Sequence, residues 1–392
     1  MHADNRAAAF EAIAHYFLTG AVFLVIGSST AVLTEHFSIS LGAVARFTAA
    51  MGLGRLITVV PVGWLTEKYG VQKTLGLGAL LLLAFLVLFP LTQSVSFALG
   101  LCFLAGIGSG TQDTVCPRLL EKAYPNAFPG AISMGQVFYG SGLVHVPLLL
   151  GACMRRNIFF GAAFFLLAIP ATAILLGLPR LKDFDMSSAS AKAETKDAAA
   201  PRAFRPRLIC LVAACFFYSG GVCLCSLYTA AAAQAAGVPT GLSVLLLTAY
   251  SAGSVLGSLL MVAVLRVLSP EAALALALGA AAFFSAGVLV ASGVPAYFLL
   301  FFLMGFSLGA MFALFVPLAS RLFPSHVSLV GAGVAVLVGL SDTLFPLLTA
   351  PVIDRFGAFG AFWVITAVLT ASFLFALPHW ILSRRKKEGQ TV

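Results

Sequence analysis

Four ionisable side chains stand inside long apolar runs of this chain: Arg55, Asp113, His145 and Asp342. A charge at mid-bilayer depth costs about 2.5–3.5 kcal/mol on insertion scales, so a group kept there faces a partner or a wet cavity. A carboxylate such as Asp113 is neutral in a dry cavity and ionised in a wet one, which would tie proton movement to a conformational change. The alternative for Asp113 is a fixed ion pair with Arg55 at similar depth. Asp342 has no obvious basic partner in the C-terminal half of the chain, which makes it a candidate for titration or cation binding. A guanidinium binds carboxylates bidentately, so Arg55 is also a candidate for recognising an anionic solute. His145 could relay protons, bond a solute or sit satisfied in a polar seam. Tyr16, Gln112, Gln136, Tyr139, Tyr218 and Tyr250 offer hydrogen bonds to a solute, or glue between helices.

The elements that hold these groups follow from composition. Of 392 residues, 60% are hydrophobic and 9% charged, against roughly 25% charged in a soluble domain. Apolar stretches of about twenty residues recur between short polar clusters, as expected of helices stitched through a bilayer. The predicted helices are 11–34, 42–65, 74–92, 96–120, 130–153, 158–179, 208–234, 242–265, 271–291, 295–320, 328–351 and 358–382. No charged group is expected in the membrane part of the third, sixth, ninth or twelfth. Residues 180–207, rich in Ala, Ser and charge, read as a flexible link, so the chain divides into a six-helix bundle (1–179), a linker (180–207) and a second bundle with a short basic tail (208–392). The first apolar stretch is too long for a cleaved signal and is expected to stay as the first helix.

Eighteen of the 23 Lys and Arg residues fall on the side that carries both termini and the linker, which predicts that side to be cytoplasmic. The net charge of +9 is explained by this orientation, and no nucleic-acid partner is expected. Seven cysteines, four of them in 210–225, lack metal-ligand spacing and read as small packing residues. The halves repeat at a shift of about 199 residues: Phe103–Gly110 (FLAGIGSG) returns as Phe302–Gly309 (FLMGFSLG), and Phe17–Gly20 (FLTG) as Phe217–Gly220 (FYSG). Six spans separate the copies, so they share one topology and would be related by an axis along the membrane normal.

Gly63–Lys73 (GWLTEKYGVQK) resembles the loop signature of the major facilitator superfamily, with Gly63, Glu67, Lys68, Gly70 and Lys73 in place and Val71 and Gln72 where Arg is usual. The resemblance implies the twelve-helix fold of that family: two six-helix halves related by a pseudo-two-fold axis. It also implies gating at this loop, with Glu67 meeting a helix end and Lys73 meeting Glu121. Pro351–Gly357 (PVIDRFG) resembles the acid-basic-Gly turn often found after the eleventh helix. Cys102 stands where drug exporters of the family carry Arg, and the fifth helix lacks their Gly-Pro motif, so multidrug export is disfavoured. The Gly-rich approach to Asp113 and the order Asp113-Thr-x-x-Pro117 resemble the fucose-permease-type branch.

The expected activity is secondary transport by alternating access: proton-coupled uptake of a small polar or anionic organic solute, by a monomer in the inner (plasma) membrane. Export of a metabolite is the alternative, and a sensor without transport a further one, although the linker and tail are short for an output domain. No His-Glu-x-x-His helix, Gly-x-Ser-x-Gly elbow or phosphate loop is present, so neither an enzyme nor a metal or other cofactor is expected.

Overall fold

The computed structural model describes residues 3–124, 128–181, 205–309, 311–322 and 327–388. The regular structure among them is helical: α1 (Ala3–Ser28), α2 (Thr30–His36), α3 (Leu41–Tyr69), α4 (Val71–Leu88), α5 (Val95–Ala123), α6 (Phe128–Arg155), α7 (Gly161–Gly177), α8 (Arg205–Ala235), α9 (Thr240–Val264), α10 (Pro270–Val290), α11 (Val294–Leu308), α12 (Met311–Leu322), α13 (Val327–Phe356) and α14 (Gly360–Glu388), with short 3-10 turns at Phe89–Leu91 and Leu178–Leu181. Ten described helices are long and apolar enough to cross a bilayer, and α2 with α3 adds an eleventh as a bent pair. The remaining predicted span, 295–320, is met by α11 and α12, of 15 and 12 residues. The central linker expected at 180–207 falls largely on residues 182–204, outside the described residues.

One predicted helix, 11–34, is broken among the described residues. It stops at Ser28 because the run Gly27-Ser-Ser-Thr30 turns hydroxyls onto the backbone: Ser29 Oγ donates to Val25 O (2.7 Å) and Thr30 Oγ1 to Gly27 O (3.2 Å). Such bonds compete with the helical ladder and bend it. The chain then turns by 107° between α2 and α3, and Ser40 caps α3 by accepting from Ala43 N. Between α11 and α12, Gly309 keeps helical dihedrals and its N–H donates to Gly305 O, and residue 310 lies outside the described residues.

Helices of the first half pack chiefly as α3 on α5, α1 on α6 and α4 on α5; those of the second half pack as α8 on α14, α9 on α11 and α10 on α14. The halves meet through α3 on α13, α6 on α9 and α1 on α8. The 199-residue repeat is present in this packing at atomic detail. A Cβ placed at Gly106 would collide with Met51 O, and one at Gly305 with Tyr250 O, 199 residues on. Gly54 meets Phe103 O as Gly253 meets Phe302 O. Missing side chains let backbones touch, and inside a bilayer such contact substitutes for the hydrophobic effect that is absent between helices in lipid.

The expected placement of charge needs correction. Glu11 (2% exposed) and His15 (0%) are buried on α1, and His379 (1%) is buried in α14, where no ionisable group was anticipated. Glu271, at the start of α10, is buried with Arg207 at 4.0 Å and Arg321 at 3.7 Å, and His379 Nδ1 meets Arg207 O at 2.9 Å. Helix ends escaped the sequence reading because hydropathy averages over a window and hides one charge in the first or last turns.

Overpacking these crossings costs about 1–3 kcal/mol each. Gly106→Val and Gly305→Val should both lower the melting temperature of the purified protein. Gly100→Ala, at a position where a Cβ meets nothing within 4 Å, should not.

Candidate ion and solute pathway

Arg55 is the central residue of α3, and it meets a carboxylate from each half of the molecule. Its Nε donates to Asp113 Oδ2 on α5 at 2.6 Å, and its Nη1 lies 3.5 Å from Asp342 Oδ2 on α13. The Asp342 side chain is 7% exposed, whereas Arg55 (22%) and Asp113 (29%) keep a face open. Taken fully ionised, one guanidinium and two carboxylates leave the cluster with one negative charge in excess. That excess invites a proton or a cationic group.

The cross-half pair exists because α3 and α13 approach closely at this depth. A Cβ at Gly52 would lie 2.7 Å from the carbonyl carbon of Asp342, and one at Gly339 would lie 3.0 Å from Leu56 Cα. With no side chain at either glycine, the helices close and Arg55 reaches over one turn to Asp342. Asp342 thus has its basic partner in the opposite half, a pairing that reading each half alone could not find. The fixed pair of Arg55 with Asp113 is also present, so Arg55 serves both.

Beside the cluster lies a small cavity of about 30 Å³, lined among others by Thr19, Thr48, Ser109, Cys223 and Ser226 together with Arg55 and Asp342. A water needs roughly 10–15 Å³ by this measure, so the space suits one or two waters, not an organic solute. Cys223, expected only to pack, sits against the Asp342 carboxylate. The closed seam continues to the end of the molecule opposite the termini. There Gly42 N donates to Asp354 Oδ1 (3.2 Å), so the last turn of α13 places a carboxylate on the N-terminus of α3, where the helix dipole favours it. At the same end Arg155 of α6 packs on Gly241 of α9, and Gly27 of α1 lies against Ser226 of α8.

The other anticipated residues divide. Tyr139 lies within electrostatic reach of Arg55, Asp113 and Asp342, and Tyr16 of Asp113. Gln112 is buried and accepts a hydrogen bond from Thr19 Oγ1 on α1. Tyr250 is buried near Tyr139 and Tyr218, and Tyr218 donates to Leu308 O at 3.2 Å. Gln136 is exposed. His145 is exposed as well, turned onto its own helix at Ser141 O (2.7 Å) and edge-on to Phe17, apart from the charged cluster.

The loop motif forms the α3–α4 turn at the termini end. Gly70, at φ 85°, joins the two helices in a conformation that favours glycine, and Gly63 faces Arg118. Lys68 Nζ stands 4.7 Å from the Trp64 ring centre and 5.2 Å from that of Tyr69; Glu67 is exposed. The expected pair of Lys73 with Glu121 is not formed among the described residues. Both side chains point into the open at this end, where water would screen them.

Comparison with known proteins agrees with this architecture. The chain is similar to an uncharacterized MFS-type transporter, YfkL, of Bacillus subtilis (strain 168), at 25% identity over 343 residues, 86% of each chain. It is similar to the inner membrane transport protein YdiN of Escherichia coli (strain K12), at 26% over 167 residues, 43% of this chain and 40% of the relative. It is also similar to the glucose/mannose transporter GlcP of Bacillus subtilis (strain 168), at 28% over 148 residues, 38% of this chain and 36% of the relative. The sequence profile of the Major Facilitator Superfamily matches residues 12–326, and with the helical repeat and the cross-half packing this makes the chain a multi-pass membrane transporter of that superfamily.

Proposed function

We propose that the chain is a proton-coupled symporter that takes up a small neutral polar solute, with hexoses the first class to test. The observation that carries this reading is Arg55 shared between Asp113 of its own half and Asp342 of the other. With both carboxylates ionised, the guanidinium ties the halves together. Protonating Asp342 removes its attraction for Arg55, loosens that tie and lets the halves rock apart, so proton occupancy and conformation become linked. An anionic solute is the less favoured cargo, because Arg55 is already neutralised and a solute carboxylate would have to displace one of its partners. The partial similarity to a glucose/mannose transporter and the fucose-permease-like order at Asp113–Pro117 support a sugar-like solute.

In this reading the two halves, joined by the 180–207 linker, move as units in a monomer. Both termini face the cytoplasm, and the described state is shut on the outer side by the Gly42–Asp354 contact. In the opposite state Lys73 and Glu121 would come close enough to pair. Tyr139, Tyr218 and Tyr250 surround the place a solute would occupy once the cavity widens.

A thermal-shift screen against hexoses, sugar acids, amino acids and carboxylates identifies the solute, since a ligand at 100 times its Kd stabilises by about 2.7 kcal/mol. Proton-driven accumulation of that solute in proteoliposomes should be lost in Asp342→Asn and in Asp113→Asn, while solute counterflow without a gradient survives in at least one of them. Driven uptake intact in both variants would overturn the coupling assignment, and accumulation only in everted vesicles would reverse the direction.

A second expectation concerns the outer seam. A Cβ at Gly42 would lie 2.6 Å from Ala350 O. Gly42→Val should therefore hold the seam open and speed labelling of Ala350→Cys by a membrane-impermeant maleimide; labelling at the rate of the Gly42 parent would contradict closure on that side.

A further inference from the structure

The central cluster is joined to the termini end by a buried polar file on α1. Glu11, His15 and Thr19 are spaced i, i+4 and i+8, one above another on a single helix face about 6 Å apart. All three are buried, at 2%, 0% and 3% exposure. His15 Nδ1 meets Glu11 O at 2.7 Å, and Thr19 Oγ1 donates to His15 O at 2.9 Å and to Gln112 Oε1. Gln112 precedes Asp113, and Thr19 lines the same cavity as Arg55 and Asp342. Glu11 Oε2, His15 Nε2 and Gln112 Nε2 are buried with no protein hydrogen-bond partner. Buried polar atoms are ordinarily satisfied by protein or water, and three unpartnered ones along one seam, two of them able to hold a proton, are places for water or a proton to occupy.

The surroundings of Glu11 leave room for it to act. The 3-10 turn at the end of α7 brings Arg180 within electrostatic reach, and α5 brings Cys116. From α7 comes Gly177, where any Cβ would collide with Glu11 Oε1. The face of α6 contributes Gly135 against the ring of Tyr16, itself within reach of Asp113 and Cys116, whereas α8 meets α1 at Gly27, near the opposite end. Among the described residues no ion pair within 4.0 Å fixes Glu11. A purely structural carboxylate would be expected to have such a tie, since an unpaired buried charge is costly.

We propose that Glu11 and His15 form a second proton-holding site, through which protons pass between the termini side and the Arg55–Asp113–Asp342 cluster. This rests on the proton-coupled reading above and extends it from a site to a route. A proton bound for Asp342 in the closed state would pass from the Glu11 carboxyl to His15 Nε2, directly or across a water, and leave that same nitrogen for water in the cavity beside Asp342. His15 Nδ1–H stays on Glu11 O, and the Thr19–Gln112 bond orders the path without carrying the proton, since an amide oxygen that accepts has no proton to pass on.

Infrared difference spectroscopy of the full chain in nanodiscs tests this without a solute, because a protonated carboxyl has its own C=O band. Titrated between about pH 5 and pH 9, wild type should show a band that Glu11→Gln removes and Glu11→Asp retains. After a pH jump, the band removed by Asp342→Asn should relax at least about tenfold more slowly in Glu11→Gln and His15→Gln, with its equilibrium midpoint kept. A Glu11→Gln spectrum superimposable on wild type, or unchanged relaxation in both variants, would overturn the inference. Absence of an Asp342 band would instead strike the coupling assignment, and the Glu11 band would still decide the present one.

Discussion

One guanidinium in the middle of a membrane protein, held by two carboxylates from opposite halves, is the constraint around which the rest of this molecule is arranged. Removing one partner of a buried ion pair costs about 3–5 kcal/mol, because the other is left charged and unpaired in a medium that solvates it poorly. Arg55 cannot lose both carboxylates, nor can Asp342 easily lose Arg55 without gaining a proton. In the proposed proton-coupled cycle, that conditional dependence would give a proton leverage over the arrangement of two bundles.

The helices are built to make this contact possible and to let it break. Glycines at the seam, Gly42, Gly52 and Gly339, bring α3 against α13 without interlocking side chains. Packing of that kind is close, yet it buries no large apolar knob that would resist separation. Inside each half the same device is used for permanent contacts, where Gly54, Gly106 and their repeats Gly253 and Gly305 dock on backbone carbonyls. Identical chemistry therefore makes the joints within a half and the joint between halves; in the proposed cycle the charged cluster marks the one that moves.

Much of this was legible in the residues. Long apolar runs and the 199-residue repeat led to the spans and the shared topology, and the rarity of charge in those runs singled out Arg55, Asp113 and Asp342. Partnership was not legible, because Arg55 and Asp342 are 287 positions apart and belong to halves that sequence alone does not dock. The break at Ser29 was not legible, since hydropathy is blind to hydroxyls turned onto the backbone. Glu11 and His15 were not legible for a related reason: a hydropathy window averages two polar residues near the start of an apolar run, and only burial reveals them. His145 was singled out by the same rarity argument that found the cluster, and it stands exposed and apart, which shows that depth in an apolar run does not fix the face.

The cross-half interaction is tested most directly by a double-mutant cycle on Arg55 and Asp342. Unfolding free energies of wild type, Arg55→Gln, Asp342→Asn and the double variant, measured in mixed micelles at neutral pH, isolate the term that belongs to the pair. A coupling of about 1–3 kcal/mol, with the double variant less damaged than the sum of the singles, is the result this account predicts. Additivity within about 0.5 kcal/mol would mean that the two groups do not feel each other, and the ionic tie between the halves would have to be abandoned.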